Sequence, residues 1–379
     1  MASVTVAENG ATTAVRAVEF FSGIGGMRYA LGQVRGAEST VVGAFDFSTT
    51  ANEVYRHNFG GKKPSQKPIQ SISCEYLQSL GANMWLMSPP CQPYTRQNET
   101  KKRDLLDKRS NALVHLCGVL EEIETPPTYI LLENVLNFER SDSCNKVKET
   151  LRKRGYQFHL HMLSPENFST PNTRPRVFMI ATLDVGVDLS PKFFPPGPAK
   201  TREVGHYLRH DLNIEQLLIP EGTLASAGSW SLDIVSPAST RSACFTHSYG
   251  RYMKGTGSVI LMPTEAKEKD KERLLNGFSN SLDALMSADG MSGSSTAVGQ
   301  RSDWYKPYLG KLRYFDPHEI TNILGFPKSF SFPDNVPLHK QYALAGNSLH
   351  VAAVTSLLQL FFAPRTAGGK KRKLDTTSG

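Results

Sequence analysis

The segment Ser88-Pro89-Pro90-Cys91-Gln92-Pro93 confines a thiol among three prolines. Each proline ring fixes its own backbone torsion and removes a donor. The apolar run before it, Met84–Met87, must therefore stop, leaving the sulfur at its carboxyl end. In an open α/β sheet, ligands bind at that edge. A free cysteine is most often a small buried hydrophobe. One held here is placed to attack, and it needs an ionised sulfur, since an ordinary thiol with pKa about 8.5 is mostly protonated at neutral pH.

Other residues converge on similar positions. A second apolar run, Tyr129–Leu132, ends in Glu133 and Asn134. A carboxylate there is seldom a core residue; it belongs to a site, or it is an ordinary cap or ion-pair partner. Arg174 and Arg176 alternate, so in extended chain they face one side. Two guanidinium groups so placed suit an anion or a carbonyl to be polarised, with a plain surface pair as the alternative. Gly23, Gly25 and Gly26 separate a strand-like run from a helical one. They let a ligand approach the backbone and the free N–H groups of a helix start. Asp46, ~20 residues on at the next strand's end, stands where carboxylates take ribose hydroxyls. Together these point to a nucleotide-like cofactor. The full G-x-G-x-x-G fingerprint is missing, so a nicotinamide dehydrogenase fits poorly and leaves Cys91 idle. Asn347 and Ser348, just before the last apolar helix, read in isolation as its cap.

The elements that must hold these groups alternate in type. RAVEFFS, VVGAFDF, MWLMS, TYILLENV and RVFMIATL are compact apolar runs. GMRYALGQV, STTANEVYRHNF and NKVKETLRKRG between them carry helical spacing, capping residues or a terminal glycine. The pattern predicts an α/β fold, a mostly parallel sheet with helices on both faces. The rhythm breaks after about Val185, at the proline-rich LSPKFFPPGPAK. On its own this leaves two domains or one domain with a large insertion, in the second case 191–309 set into a main unit of 16–190 and 310–364. Within the insertion EAKEKDKERLLNGF reads as a charged helix, and the small polar stretch 287–300 is expected to be disordered. Regular structure returns with a helix over Asp316–Phe326 and a last core helix over Val351–Phe362. Residues 1–15 are expected to be loose, and 365–379 form a basic tail bearing Lys370, Lys371, Arg372 and Lys373.

The totals exclude several classes. With 379 residues the chain can bury a large core, and its net charge of +8 suits a polyanionic partner without requiring one. Five scattered cysteines without a C-x-x-C pair argue against structural zinc and against a disulfide scaffold. The amino terminus lacks a signal-peptide pattern, and no run of about 20 apolar residues stands out as a membrane span. A cytoplasmic protein, also entering the nucleus, is the expectation.

Taken in order, FFSGIGG, FDF, SPPCQPYTR, ENV, RPRVFMIA and GNS resemble the motifs of the cytosine-C5 methyltransferases, from Phe20 to about Phe362. CFTHSYGRYMKGTGSV (Cys244–Val259) is similar to the signature of one branch, the type-two DNA methyltransferase homologues, which modify transfer RNA. The resemblance implies an S-adenosylmethionine-dependent methyltransferase with a Rossmann-like catalytic domain, an inserted target-recognition domain and no metal. It implies that Cys91 attacks C6 of a flipped-out cytosine, that Glu133 holds N3 and N4, and that Arg174 and Arg176 contact the pyrimidine carbonyl and steady the site. It implies cofactor contacts from Phe21, Ser22, Gly23, Gly25, Asp46, Phe47, Ile69, Pro90, Asn347 and Ser348. The substrate implied is position 38 of tRNA-Asp, met by a monomer; the alternatives are DNA as substrate and a catalytically weak nucleic-acid binder. Two stretches depart from the branch or leave the substrate open: the expanded 264–302, and the loop after Cys91 with Lys101, Lys102, Arg103 and Arg109, which can track a phosphate backbone.

Overall fold

The computed structural model describes residues 13–91, 107–190, 200–226, 228–262 and 305–363. The charged stretch 265–278, the polar stretch 287–300, the loop from 92 to 106 and the tail lie outside the described residues.

Six strands form the main sheet: β1 (Thr13–Phe20), β2 (Ala37–Phe45), β3 (Met84–Met87), β4 (Tyr129–Val135), β5 (Gln157–Leu163) and β6 (Arg176–Thr182), in the order β2-β1-β3-β4-β6-β5. β2, β1, β3 and β4 pair in parallel, whereas β6 runs antiparallel to both β4 and β5. The five apolar runs read from the sequence are five of these strands. β5, QFHLHML, is the one missed. It lies at the sheet edge and mixes two histidines and a glutamine with its apolar residues, so no continuous apolar run marks it. It is also β5 that allows β6 to reverse, because antiparallel neighbours need no helical crossover.

Alternate residues of the same strands feed two separate cores. Ala17, Met84, Leu86, Leu131 and Ile180 pack on one face; Val18, Phe20, Trp85, Met87, Leu132 and Met179 pack on the other. The first face is covered by α1 (Gly26–Leu31) and by three helices from the end of the chain, α7 (Pro317–Ile323), α8 (Leu338–Asn347) and α9 (Val351–Phe361). The second is covered by α3 (Cys74–Ser79), α4 (Asn111–Glu122) and α5 (Asp142–Lys153). α2 (Thr49–Phe59) starts at Ser48, whose hydroxyl accepts from the Ala51 N–H at 3.2 Å, a serine cap. α7 carries a capping box between Asp316 and Glu319. The stretch Leu338–Phe361 is apolar enough and long enough to invite a membrane reading, yet it is broken between α8 and α9, and 61% of its most apolar window is buried.

A second, three-stranded sheet comprises β7 (Asp233–Val235), β8 (Ser258–Leu261) and β9 (Leu312–Arg313), with the short α6 (Glu221–Leu224) beside it. Ile219, Leu224, Val259, Tyr308 and Leu312 give it a small core of its own. Phe245, Tyr249 and Ile260 face the other way, into the core under α7, α8 and α9. Arg313 and Glu319, both buried, pair at 2.7 Å and tie the small sheet to α7.

Candidate active site

Strand register builds the site. Phe45, Phe20, Met87 and Leu132 are mutual partners across β2, β1, β3 and β4. They form one row at the carboxyl edge, and the next residue of each chain lies just beyond it: Asp46, Phe21, Ser88 and Glu133. Because β6 is reversed, its first residue, Arg176, pairs with Val135 and so begins at this same edge. Four strands ending and one starting bring residues from five distant stretches within reach of each other.

Glu133 is buried, and both its oxygens are engaged. Ser88 Oγ donates to Oε2 at 2.8 Å, and the Arg176 guanidinium lies 3.3 Å from Oε1. Asn134, fully buried, donates through Nδ2 to the Pro89 carbonyl at 3.2 Å. Two β4 side chains thus hold the adjacent residues Ser88 and Pro89 where the proline segment begins, and so set where Cys91 emerges. Burial pushes the Cys91 thiol above its ordinary range. The Arg176 charge pulls it down, and that of Glu133 pushes it up again. Among the described residues, Arg176 is therefore the strongest source of thiolate stabilisation. Of Lys101, Lys102, Arg103 and Arg109, Arg109 lies among the described residues; its guanidinium is forked onto Asp107, with Nε to Oδ1 at 2.8 Å.

Arg174 does something different from its neighbour. It is 3% exposed. Nη1 donates to the Phe245 carbonyl at 2.6 Å and to Cys244 Sγ at 3.2 Å, and Nη2 donates to the carbonyls of Gly346, at 2.9 Å, and Ser348. Burial pushes the Cys244 thiol up, but the charges of Arg174 and Arg176 outweigh it and hold that thiol below its ordinary range.

The glycine loop is held by a carboxylate. Asp46 accepts from the N–H of Gly23 through Oδ2 and from the N–H of Ser48 through Oδ1, both at 2.8 Å. Burial pushes its carboxyl up, against those two N–H groups. Phe21, Gly23 and Gly25 all adopt left-handed torsions, at φ 58°, 52° and 88°. Gly25 has no alternative, since a Cβ there would sit 2.2 Å from the Phe59 ring. At Gly23 a Cβ would meet nothing within 4 Å. Ser22 Oγ is buried and has no hydrogen-bond partner among the described residues. Phe47 stands 91% exposed next to Asp46, Ile69 is buried, and Pro90 is partly buried at the edge. Open space above a glycine, an orphaned hydroxyl, a carboxylate and a bare aromatic ring suit a nucleoside carrying an amino-acid tail.

Asn347 is the exposed last residue of α8, and Ser348 is that helix's C-cap. Neither caps α9; His350 does, its ring accepting from the Ala353 N–H at 3.3 Å. Three participants were not readable as such in the sequence: Ser88 on Glu133, Cys244 on Arg174, and Gly346, whose Cβ would fall 2.1 Å from the Thr246 carbonyl. Ser88 carried a faint signal, the residue where an apolar run meets two prolines. Cys244 and Gly346 open the CFT and GNS stretches quoted above, but nothing local to either says that one meets Arg174 and the other the Thr246 backbone.

The sheet order, its one reversed strand and the ligand loop after β1 define the Rossmann-like fold of S-adenosylmethionine-dependent methyltransferases, here with a thiol at the end of β3. The chain belongs to the C-5 cytosine-specific DNA methylase family, whose model matches residues 15–362. It is 31% identical over 411 residues to the human tRNA (cytosine(38)-C(5))-methyltransferase, covering 92% of this chain and 99% of that protein. It is 34% identical over 395 residues to a Dictyostelium discoideum DNA (cytosine-5)-methyltransferase, covering 92% and 95%. The crystal structure of the S. pombe Dnmt2 methyltransferase superposes with a TM-score of 0.73 at 29% identity, over 92% of this chain and 98% of that one. The protein's cofactor is accordingly S-adenosylmethionine.

Proposed function

We propose that this protein methylates C5 of a cytosine in a tRNA anticodon loop, position 38 of tRNA-Asp, acting as a monomer in the cytoplasm, with the Lys370–Lys373 tail as a route to the nucleus. The observation that carries the chemistry is the Arg176–Glu133 pair beside Cys91, with Ser88 fixing Glu133 and Asn134 holding the segment that bears Cys91. The printed names of the relatives support RNA as the substrate, and that of the Dictyostelium protein keeps DNA as the competing one.

In this reading Cys91 Sγ, deprotonated under the charge of Arg176, bonds to C6 of the flipped-out base. Glu133 accepts from N4 and holds a proton at N3, so the ring's electrons move to C5 rather than into an unsupported anion. Bound S-adenosylmethionine supplies the electrophilic methyl. Elimination then passes the C5 proton to water acting as base, returns the N3 proton to Glu133 and releases Cys91 as thiolate, restoring the aromatic ring. Asp46 suits the ribose hydroxyls with the lone pairs left after Gly23 and Ser48, while Phe21, Phe47, Ile69 and Pro90 suit the adenine. Ser22 Oγ, Gly23, Gly25, Asn347 and Ser348 suit the methionyl end. Arg174 steadies this wall from behind. Residues 191–309 serve as the target-recognition domain, and 16–190 with 310–364 as the catalytic one.

The test is to supply labelled S-adenosylmethionine with either total tRNA or duplex DNA. Label on tRNA alone is expected, and label on DNA at a comparable rate rejects the substrate assignment. A 5-fluorocytosine at the target position should cross-link to Cys91, and absence of the adduct ends the covalent mechanism.

A further inference from the structure

One buried carboxyl has no part in the mechanism. Glu19 is the penultimate residue of β1 and is almost wholly shielded from solvent. Its Oε2 accepts from the Tyr55 hydroxyl of α2, and its Oε1 has no hydrogen-bond partner among the described residues. Nor does a described cation reach it. Arg28 of α1 stops short, with Nη1 donating to the Tyr55 hydroxyl at 3.2 Å and its guanidinium 4.3 Å from the Phe59 ring centroid. The strand partners on either side, Ala44 of β2 and Leu86 of β3, carry no charge. A buried carboxylate without a bonded cation is costly. Burial accordingly raises this carboxyl to about 7, against the Tyr55 hydroxyl and the Arg28 charge.

The same cluster is the floor of the glycine loop. Tyr55, which holds Glu19, packs beneath Gly25, where a Cβ would lie 3.2 Å from its ring. Ser22, with its buried and orphaned hydroxyl, follows Glu19 by three residues, and its carbonyl accepts from the Gly25 N–H at 3.0 Å. The two ligands of this loop differ in charge. S-adenosylmethionine carries a sulfonium, an ammonium and a carboxylate, one net positive charge. S-adenosylhomocysteine has a neutral thioether and no net charge. A carboxylate lacking its own counter-ion, in an interior that screens poorly, responds to that difference.

We propose that Glu19 sets the preference for methyl donor over spent product, by ionising when the sulfonium is bound and taking its proton back when the neutral product replaces it. The proposal rests on the placement of the methionyl end at Ser22, Gly23 and Gly25 given above. The sign follows from linkage. A bound cation favours the ionised carboxyl, so donor binding releases a proton, and donor affinity rises with pH until the free protein's Glu19 is itself ionised. Product binding lacks this component.

The experiment measures the affinities of S-adenosylmethionine and S-adenosylhomocysteine for the full chain, without nucleic acid, by calorimetry between pH 5.5 and 8.5. The ratio of donor to product affinity should climb about tenfold as pH approaches 7 and level off above it. Near the middle of the rise, titrations in two buffers of different ionisation enthalpy should show about half a proton released with the donor and none with the product. In Glu19→Gln the rise and the release should both vanish. Titration of Asp46 and of the ligands' own amino groups remains in that variant and serves as the reference. Tyr55→Phe removes a donor that favours the ionised form, so it should move the rise to higher pH. Equal proton release for the two wild-type ligands, or the same pH dependence of the ratio in wild type and Glu19→Gln, overturns the proposal. Gly23→Val fills the open space in the loop and should weaken both ligands alike. If it weakens neither, the placement of the methionyl end falls, and the proposal with it.

Discussion

Arg174 donates to the main-chain carbonyl of Gly346 at 2.9 Å across 172 residues of sequence. That one bond, with its companions to Phe245 and Ser348, joins the start of β6, the segment before the Thr246–Thr256 loop and the end of α8. Arg174→Ala should therefore unfold the wall of the site, not merely dull its chemistry. Buried carbonyls left without a charged donor cost about 3 kcal/mol or more in total. Arg176→Ala should cost much less stability yet lose turnover. Urea unfolding beside initial rates separates the two arginines; equal stability losses would show that they act as one unit.

The same junction constrains Gly346. A methyl there would collide with the Thr246 backbone at 2.1 Å, and neither chain is a flexible side-chain end that can yield. Gly346→Ala should drop the unfolding midpoint and the rate together, through displacement of the loop and of Asn347. A fully active, fully stable G346A protein would show that the contact is not tight in solution.

Ser88 offers a cleaner test of positioning. Ser88→Ala removes one donor from a buried carboxylate and leaves Arg176 as its described partner. The expected result is roughly a tenfold fall in kcat, from loss of ~1–2 kcal/mol of orientation, with KM for cofactor unchanged. A rise in KM for cofactor at constant kcat would move Ser88 from Glu133's role to the ligand's.

The pH dependence of catalysis follows from Cys91. Burial raises its thiol, and the attacking species is the thiolate. Single-turnover rates should therefore climb with pH into and beyond the ordinary thiol range. Removing the opposing cation in Arg176→Gln should shift that limb to still higher pH. A rate that is flat across this range would mean that substrate binding, and not Cys91, sets the protonation state.

Glu19 produces a separate effect on stability. It is 1% exposed at the end of β1, bonded by the Tyr55 hydroxyl, with Oε1 lacking a partner among the described residues. Burial raises its carboxyl from 4.5 to about 7. The folded chain thus keeps the proton longer than the unfolded one. The stabilisation is complete below 4.5 and is lost as pH rises through about 7, a difference of about 3 kcal/mol. Glu19→Gln cannot ionise, so it should exceed the wild type in stability at mildly alkaline pH and match it near the lower limit. Parallel unfolding curves for the two proteins at both pH values would exclude this account.

What the sequence determined alone were the local devices. Pro89 and Pro90 end β3, Gly23 and Gly25 admit a ligand after β1, and Ser48 and Asp316 start helices, each because a residue's own torsions or donors force the outcome within a few positions. The family motifs were visible for the same reason. Tertiary structure alone decided the rest. The direction of β6 depends on pairing with β4 and with an edge strand too polar to announce itself. Two arginines that alternate in sequence part company because one meets the carboxylate at the end of β4 and the other meets carbonyls from 71 to 174 residues away. Such contacts are fixed by which chains arrive side by side in the packed core, and spacing along the chain carries no record of that.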